Sequence, residues 1–363
     1  MSIIVRNMSK PRIIAFYLPQ YHPTPNNDIW WGKGFTEWTN VGKAKPLYPG
    51  HYQPHVPSEL GYYDLRLPIV REQQAQLARE AGVEAFCYYH YWFENGKEEL
   101  DLPFKEVIES GKPDFPFCLC WANQTWENKM WNKDGTVIGK KILAEQKYLG
   151  TEDNEAHFYS LLSAFKDSRY LKIDNRLVFM IYQPLIFEHL REFMNQWNEL
   201  AVNNGINKFF FVGQCGTKEE LTENLKFNFD LVNYSRLLNC PEQSIIRKLW
   251  RRLYNAPRVI EYSQMIKRFN DIIYKDEKVC PVIVPGWDHT PRSGNKGLVY
   301  SNSTPKLFKK HVKDIFETTK NKHNNIIFLK SWNEWGEGNY MEPDLKFGRG
   351  YINALREVLD EYK

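Results

Sequence analysis

Eight short apolar runs, rich in β-branched and aromatic residues, recur along the 363-residue chain. They are RIIAFYL (12–18), VEAFCYYHYW (83–92), FPFCLCWA (115–122), RLVFMIYQ (176–183), KFFFVGQ (208–214), FDLVNYS (229–235), VCPVIVPGW (279–287) and NIIFLKSWN (325–333). Most are apolar at successive rather than alternate positions, the pattern of parallel strands buried on both faces. Helical periodicity fills the gaps. Residues 186–205 put Ile186, Leu190, Phe193, Trp197 and Leu200 on one stripe, with Gly205 as a stop signal. Residues 68–82 do the same with Val70, Gln74, Leu77 and Ala81, ending at Gly82, and 303–320 and 349–361 also read as helices. Strand then helix, eight times over, predicts an α/β fold: a single (β/α)8 TIM barrel spanning 1–363. A doubly wound open sheet is the alternative, but no Gly-rich phosphate fingerprint follows the first run. The segment 19–63 is rich in Pro, Gly, Trp and Tyr. It is too apolar for a linker and too long for a turn, so it is expected to form a substrate-facing cap.

Composition adds one clue. Charged residues make up 25% and the net charge is +4, spread along the chain, which implies no nucleic-acid partner. Aromatics make up 15%, in clusters such as YYHYWF (88–93) and WANQTW (121–126) that mix rings with hydrogen-bonding groups. That mixture suits a sugar, whose C–H faces pack on rings while its hydroxyls need polar partners. The six cysteines lie mostly inside apolar runs with no framework spacing, as expected of reduced cytoplasmic thiols. The pair in CLC (118–120) lacks a second ligand pair, so no metal and no cofactor are expected. The apolar stretch in MSIIVRNMSKPR is too short for a signal peptide, and no window is apolar enough for a transmembrane span.

In such a barrel the chemistry gathers where strands end. The first run ends on Tyr17, Tyr21 and His22, followed by Glu37 and Trp38 in the cap. The second ends on Tyr89, Tyr91 and Trp92, the third on Trp121, Asn123, Gln124 and Trp126, and the fourth on Gln183. The sixth gives Tyr234, and the seventh gives Trp287, Asp288 and Arg292. His22 serves either a hydroxyl or the loop itself. Asp288 holds a hydroxyl or pairs with Arg292. Trp38, Trp92 and Trp126 suit sugar stacking, with at least one of them in the core. Glu37 is a third site acid or a helix-terminal residue.

The last run leads into SWNEWGEG (331–338), where Glu334 and Glu337 sit three apart between Trp332, Trp335, Gly336 and Gly338. Residues so spaced on one tight turn can share a cavity. Glycoside cleavage needs two carboxyl groups flanking the bond, and neighbouring acids push their pKa values apart. An acid pair on an exposed loop is ordinary solvated surface; the buried run ahead of this one, its tryptophans and its glycines favour a site.

These residues also carry a resemblance. SWNEWGEGNYMEPD (331–344) resembles the active-site segment of WbsX-type polysaccharide biosynthesis proteins, found in bacterial O-antigen clusters and related to glycoside hydrolase family 99, the endo-α-mannosidases and endomannanases. AFYLPQYHP (15–23), WWGKGFTEWTNV (30–41), FCLCWANQTW (117–126) and PGWDHTPR (285–292) are similar to the same pattern, so the resemblance runs from first strand to last. It implies a (β/α)8 barrel and a retaining mechanism in which one glutamate takes the proton of the sugar's own 2-hydroxyl, and that oxygen attacks the anomeric carbon. A second glutamate protonates the leaving oxygen. By motif position Glu334 matches the base and Glu337 the acid, Asn333 and Trp335 match their neighbours, and Glu342 matches the later glutamate. Gly336 stands where the endomannosidase branch carries His, a departure that bears on mannose specificity rather than on the carboxylates.

The leading expectation is therefore a retaining glycosidase or transglycosylase acting on a bacterial polysaccharide or O-antigen-type glycan in the cytoplasm. WbsX proteins are often labelled glycosyltransferases; the chain has no Asp-x-Asp metal motif of a metal-dependent nucleotide-sugar transferase. A binding module without chemistry is the third class, and it would gain little from two adjacent buried acids. The segment 244–258 reads as an amphipathic helix with Arg247, Lys248, Arg251 and Arg252 on its polar face. It is either a barrel helix with a solvated basic face or a peripheral contact with a membrane carrying lipid-linked glycan.

Overall fold

A computed structural model describes residues 10–131, 137–238, 249, 251 and 253–362. Its centre is a ring of nine parallel strands: β1 (Arg12–Tyr17), β2 (Ala85–Glu94), β3 (Phe117–Trp121), β4 (Arg176–Ile181), β5 (Phe210–Cys215), β6 (Leu231–Tyr234), β7 (Val279–Cys280), β8 (Val282–Ile283) and β9 (Ile326–Leu329). Their order is β7-β6-β5-β4-β3-β2-β1-β9-β8. All eight expected runs form barrel strands, and the seventh is divided by Pro281. Its first half pairs with β6 (Val232 opposite Val279), its second with β9 (Val282 opposite Phe328). Proline has no N–H to give a ladder, but its carbonyl accepts from Phe328 N at 3.1 Å, so the segment bridges both neighbours and brings the ring almost to closure. This is a TIM-barrel-like architecture.

The strands are almost wholly buried, which explains their continuous apolar character. Helices cover them outside. Pro68–Ala81 buries Val70, Gln74, Leu77 and Ala81 and ends at Gly82, with φ 84°. A Cβ at Gly82 would come within 2.5 Å of Leu359 Cδ1, so conformation and space both demand glycine. The helix expected from 186 begins later, at Leu190, and runs to Asn203. Pro184–Ile186 is a separate 3-10 turn, extended backbone at Phe187 breaks the helix, and Ile186 is 52% exposed rather than on the stripe. The last two helices are Pro305–Thr319 and Gly350–Glu361.

Two features were not expected. An antiparallel hairpin, Trp126–Trp131 with Val137–Ala144, follows β3, and an Asp-Gly dipeptide between its strands is the turn signal that could have revealed it. A parallel pair, Arg258–Glu261 with Leu298–Ser301, stands off the barrel. Seven of the fifteen residues of the basic segment 244–258, Arg247, Lys248 and Arg252 among them, lie outside the described residues. Cys87, Cys118, Cys120, Cys215 and Cys280 are buried free thiols. Among the described residues no helix is long and apolar enough to cross a membrane, and no cluster of His, Cys, Asp or Glu is suited to a metal ion.

Candidate active site

The chain leaves β9 through Lys330 and enters a tight loop in which Asn333–Glu334 pairs antiparallel with Asn339–Tyr340 around a 3-10 turn, Trp335–Glu337. Several groups hold it. The Asn333 amide accepts from Leu18 N at 2.7 Å and donates to Leu18 O at 3.0 Å, tying the loop to the end of β1. Tyr21 Oη donates to Asn333 O at 2.5 Å and accepts from Trp335 N at 3.0 Å. Trp335 stacks on Tyr340, centroids 3.7 Å apart, and donates its Nε1–H to Glu342 at 2.7 Å. Gly338, at φ 60°, lies so close to Asp288 that a Cβ would come within 2.7 Å of it.

This loop turns both acids onto the same two cations. Lys330 Nζ lies 2.6 Å from Glu334 Oε2 and 3.8 Å from Glu337 Oε2, and also donates to Tyr89 Oη at 2.9 Å. Arg292 Nη1 bonds Glu337 Oε1 and lies 3.9 Å from Glu334 Oε1. The other side of the guanidinium grips Glu37 Oε2, with Nε and Nη2 both at 2.9 Å. Ser331 Oγ donates to Glu334 at 3.2 Å, and Asn339 Nδ2 to Glu337 at 3.3 Å. Three carboxyl groups thus meet two cations. Burial and the neighbouring Glu337 charge raise the Glu334 pKa, against the pull of Lys330 and Arg292. Burial also acts on Glu337, but Arg292 and Lys330 overcome it and take that group down to about 2. Burial opposes the charge on Lys330, and the two carboxylates more than offset that, so its pKa rises. Of the two, Glu334 is the more readily protonated and Glu337 the more firmly ionised.

Gly336 explains how Arg292 reaches both acids. A Cβ at this position would come 2.0 Å from Glu37 Oε2 and 3.2 Å from Arg292 Nε. The Glu37–Arg292 pair occupies the space that a side chain at 336 would need.

The carboxylates line a cavity of ≈ 630 Å³ together with Glu37, Tyr89, Tyr91, Gln124, Trp126, Arg292, Tyr182 and Lys330. The segment 19–63 supplies one wall through Gln20, Trp31, Phe35, Glu37, Thr39, Asn40 and Lys43. Gln183 and Trp287 line a second cavity. The other candidates border neither. Tyr21, Asn333, Trp335 and Glu342 shape the loop from behind; Glu342 is buried and accepts from Trp335, Gln74 and Tyr63 at 2.7, 2.7 and 2.9 Å. Tyr17 donates to Gln74 at 2.7 Å, and Trp38 donates to Tyr63 O at 2.7 Å. His22 is buried, and burial lowers its pKa. Trp92 stacks on His157, Trp121 donates to Trp92 O at 3.0 Å, and the Asn123 amide joins Tyr148 to Gln183. Tyr234 packs on Tyr274 and the Arg236 guanidinium. Asp288 does not pair with Arg292. It accepts from His51 and Gln53, both at 2.7 Å, and from Thr290 N and Oγ1 at 2.9 and 2.6 Å, so its oxygens anchor the 47–55 loop. Lys330 was missed; its one signal is a charge closing an apolar run just ahead of the motif.

The fold is that of known glycosidase barrels. The GH99 endo-α-mannosidase of Bacteroides thetaiotaomicron superimposes with a TM-score of 0.55 at 15% identity over 97% of each chain. A protein described as glycoside hydrolase-like gives 0.61 at 13% identity over 99% of this chain and 96% of its own. The family is more specific: the model described as Glycosyltransferase WbsX matches residues 13–355, and the chain belongs to that family. It is 33% identical over 354 residues to the uncharacterized protein WxcX of Xanthomonas campestris pv. campestris, covering 96% of this chain. The chain spans about half the length of that relative, 49%. Family and fold together define a WbsX-family protein with a TIM-barrel-like fold.

Proposed function

We propose that the protein is a retaining glycoside hydrolase-like enzyme or transglycosylase acting on a bacterial polysaccharide or O-antigen-type glycan. The observation that carries this reading is the pair Glu334/Glu337, the first buried and the second partly so, in one aromatic-walled cavity and sharing the counter-ions Lys330 and Arg292. Tyr89, Tyr91 and Trp126 supply aromatic lining for sugar C–H groups, and Gln124 a polar group for hydroxyls.

By motif position Glu334 acts as base on the sugar 2-hydroxyl. The 2-oxygen bonds to the anomeric carbon as the C1–O bond to the leaving group breaks, and Glu337 delivers a proton to the departing oxygen. Water or an acceptor hydroxyl, giving its proton to Glu337, then adds at the anomeric carbon from the face the leaving group vacated as the C1–O2 bond breaks and O2 recovers its proton from Glu334, which gives retention. This assignment requires Glu337 to gain a proton. Arg292 and Lys330 hold it ionised in the free cavity, so a bound sugar must loosen Glu337 from Arg292 before Glu337 can act as acid.

That same observation favours a second reading, with the two roles exchanged, and one experiment separates them. E334Q and E337Q are each expected to lose at least about 100-fold in turnover of the producing cell's surface glycan. On a glycoside with an activated aryl leaving group, which needs no acid, only the acid variant recovers. Recovery of E337Q supports the motif assignment, and recovery of E334Q reverses it. Wild-type activity in both variants on both substrates ends the proposal.

A further inference from the structure

A second cavity of ≈ 930 Å³ lies across the carboxylate loop, bordered by Gln183, Gln214, Ser235, Trp287 and His289. It shares Tyr182, Lys330 and Glu337 with the first cavity, whereas Glu334 borders the first alone. A ligand joining the two cavities therefore crosses at Glu337. Two residues of its lining also hold unmet polar groups with almost no accessible surface of their own: Gln214 Oε1, an acceptor, and Trp287 Nε1, a donor, have no hydrogen-bond partner. Their residues are only 9% and 5% exposed. A buried acceptor and a buried donor left open beside an indole ring match a sugar, which supplies hydroxyls of both kinds.

We infer that this cavity binds the saccharide on the leaving side of the scissile linkage, and that the two cavities set the direction of the glycan. The inference rests on the proposed carboxylate chemistry in its motif assignment. The residue whose 2-hydroxyl loses its proton must sit with Glu334, in the first cavity. The bridging oxygen that gains a proton must sit at the border, beside Glu337. The chain toward the reducing end then runs past Trp287 to Gln214, and in a transfer reaction the acceptor sugar occupies the same place.

The probes are 2-aminobenzamide-tagged oligosaccharides cut from the producing cell's surface polysaccharide, and 4-nitrophenyl glycosides of the same non-reducing sugar, whose aglycone has no hydroxyls. Q214A removes the open acceptor. W287F keeps a ring and removes the donor. Each is expected to lower kcat/KM on the oligosaccharides about 10-fold, the loss of one hydrogen bond, mainly through KM. The change on the aryl glycoside is expected to stay under about 3-fold. No loss on oligosaccharides, or equal loss on both probes, overturns the inference. The carboxylate reading fails separately, if E334Q and E337Q keep activity on both probes. Crystals of E334Q soaked with the oligosaccharide supply a second measure: a reducing end beside Gln214 supports the inference, and rings confined to the first cavity or running the other way overturn it.

Discussion

Adding one methyl group at Gly336 tests the electrostatic frame of the site. The Cβ of alanine would fall 2.0 Å from Glu37 Oε2, where no atom pair can remain, and 3.2 Å from Arg292 Nε, where little adjustment is needed. Glu37 must therefore leave the guanidinium. Its side chain is 3% exposed and that of Arg292 23%, so the carboxylate is displaced inside a buried setting while Arg292 keeps Glu337. Breaking a buried pair by removing one partner costs about 3–5 kcal/mol; the retained partner and partial exposure of Arg292 place G336A near the lower end, about 3 kcal/mol. Urea denaturation at pH 7 measures the loss. A double-mutant cycle with E37A identifies its source. With the carboxylate gone, the methyl group has room, so the double variant should lose clearly less than the sum of the two single losses. A G336A protein within about 0.5 kcal/mol of the parent, or an additive cycle, would refute the idea that Glu37 and Arg292 claim the space at 336.

Glu342 predicts a pH dependence. Burial raises its pKa to about 7, against lowering hydrogen bonds that include those from Trp335, Gln74 and Tyr63. With the folded value above the unfolded one, its contribution is complete below about pH 4.5 and is lost as pH rises through about 7, an effect of about 3 kcal/mol. E342Q should remove that slope from stability measured between pH 5 and 8, and an unchanged slope would count against it. Asp288 should matter for the 47–55 loop rather than for sugar contact. D288A leaves the His51, Gln53 and Thr290 donors unpaired and should cost about 2–4 kcal/mol. Limited proteolysis followed by mass spectrometry should then find early cleavage near residues 47–55, and an unaltered cleavage pattern would oppose that role.

Much of the site was legible because its chemistry is local. The acids, their glycines and the apolar run ahead of them lie within the fourteen residues 325–338, and the segment 19–63, which lines one wall of the cavity, stands out by length and aromatic content. Side-chain parity was also legible. Tyr89 and Tyr91 border the cavity, while His90 meets His157 at 2.8 Å and Trp92 stacks on that same histidine. Alternation along β2 separates them, so expecting Trp92 beside the two tyrosines ignored the period of a strand.

The sequence by itself determined the barrel strands and most of the helices packed on them, since hydrophobic period and turn chemistry act between near neighbours in the chain. Eight buried runs define the barrel, and one motif puts two acids on one turn. The tertiary structure alone decided which polar groups meet. Arg292 joins Glu37 to Glu337 across 255 and 45 residues of chain. Asp288, a few positions before Arg292, is spent on a loop 237 residues away. Charge pairing depends on distance in space, which the nearly closed ring of strands sets and the order of residues along the chain does not.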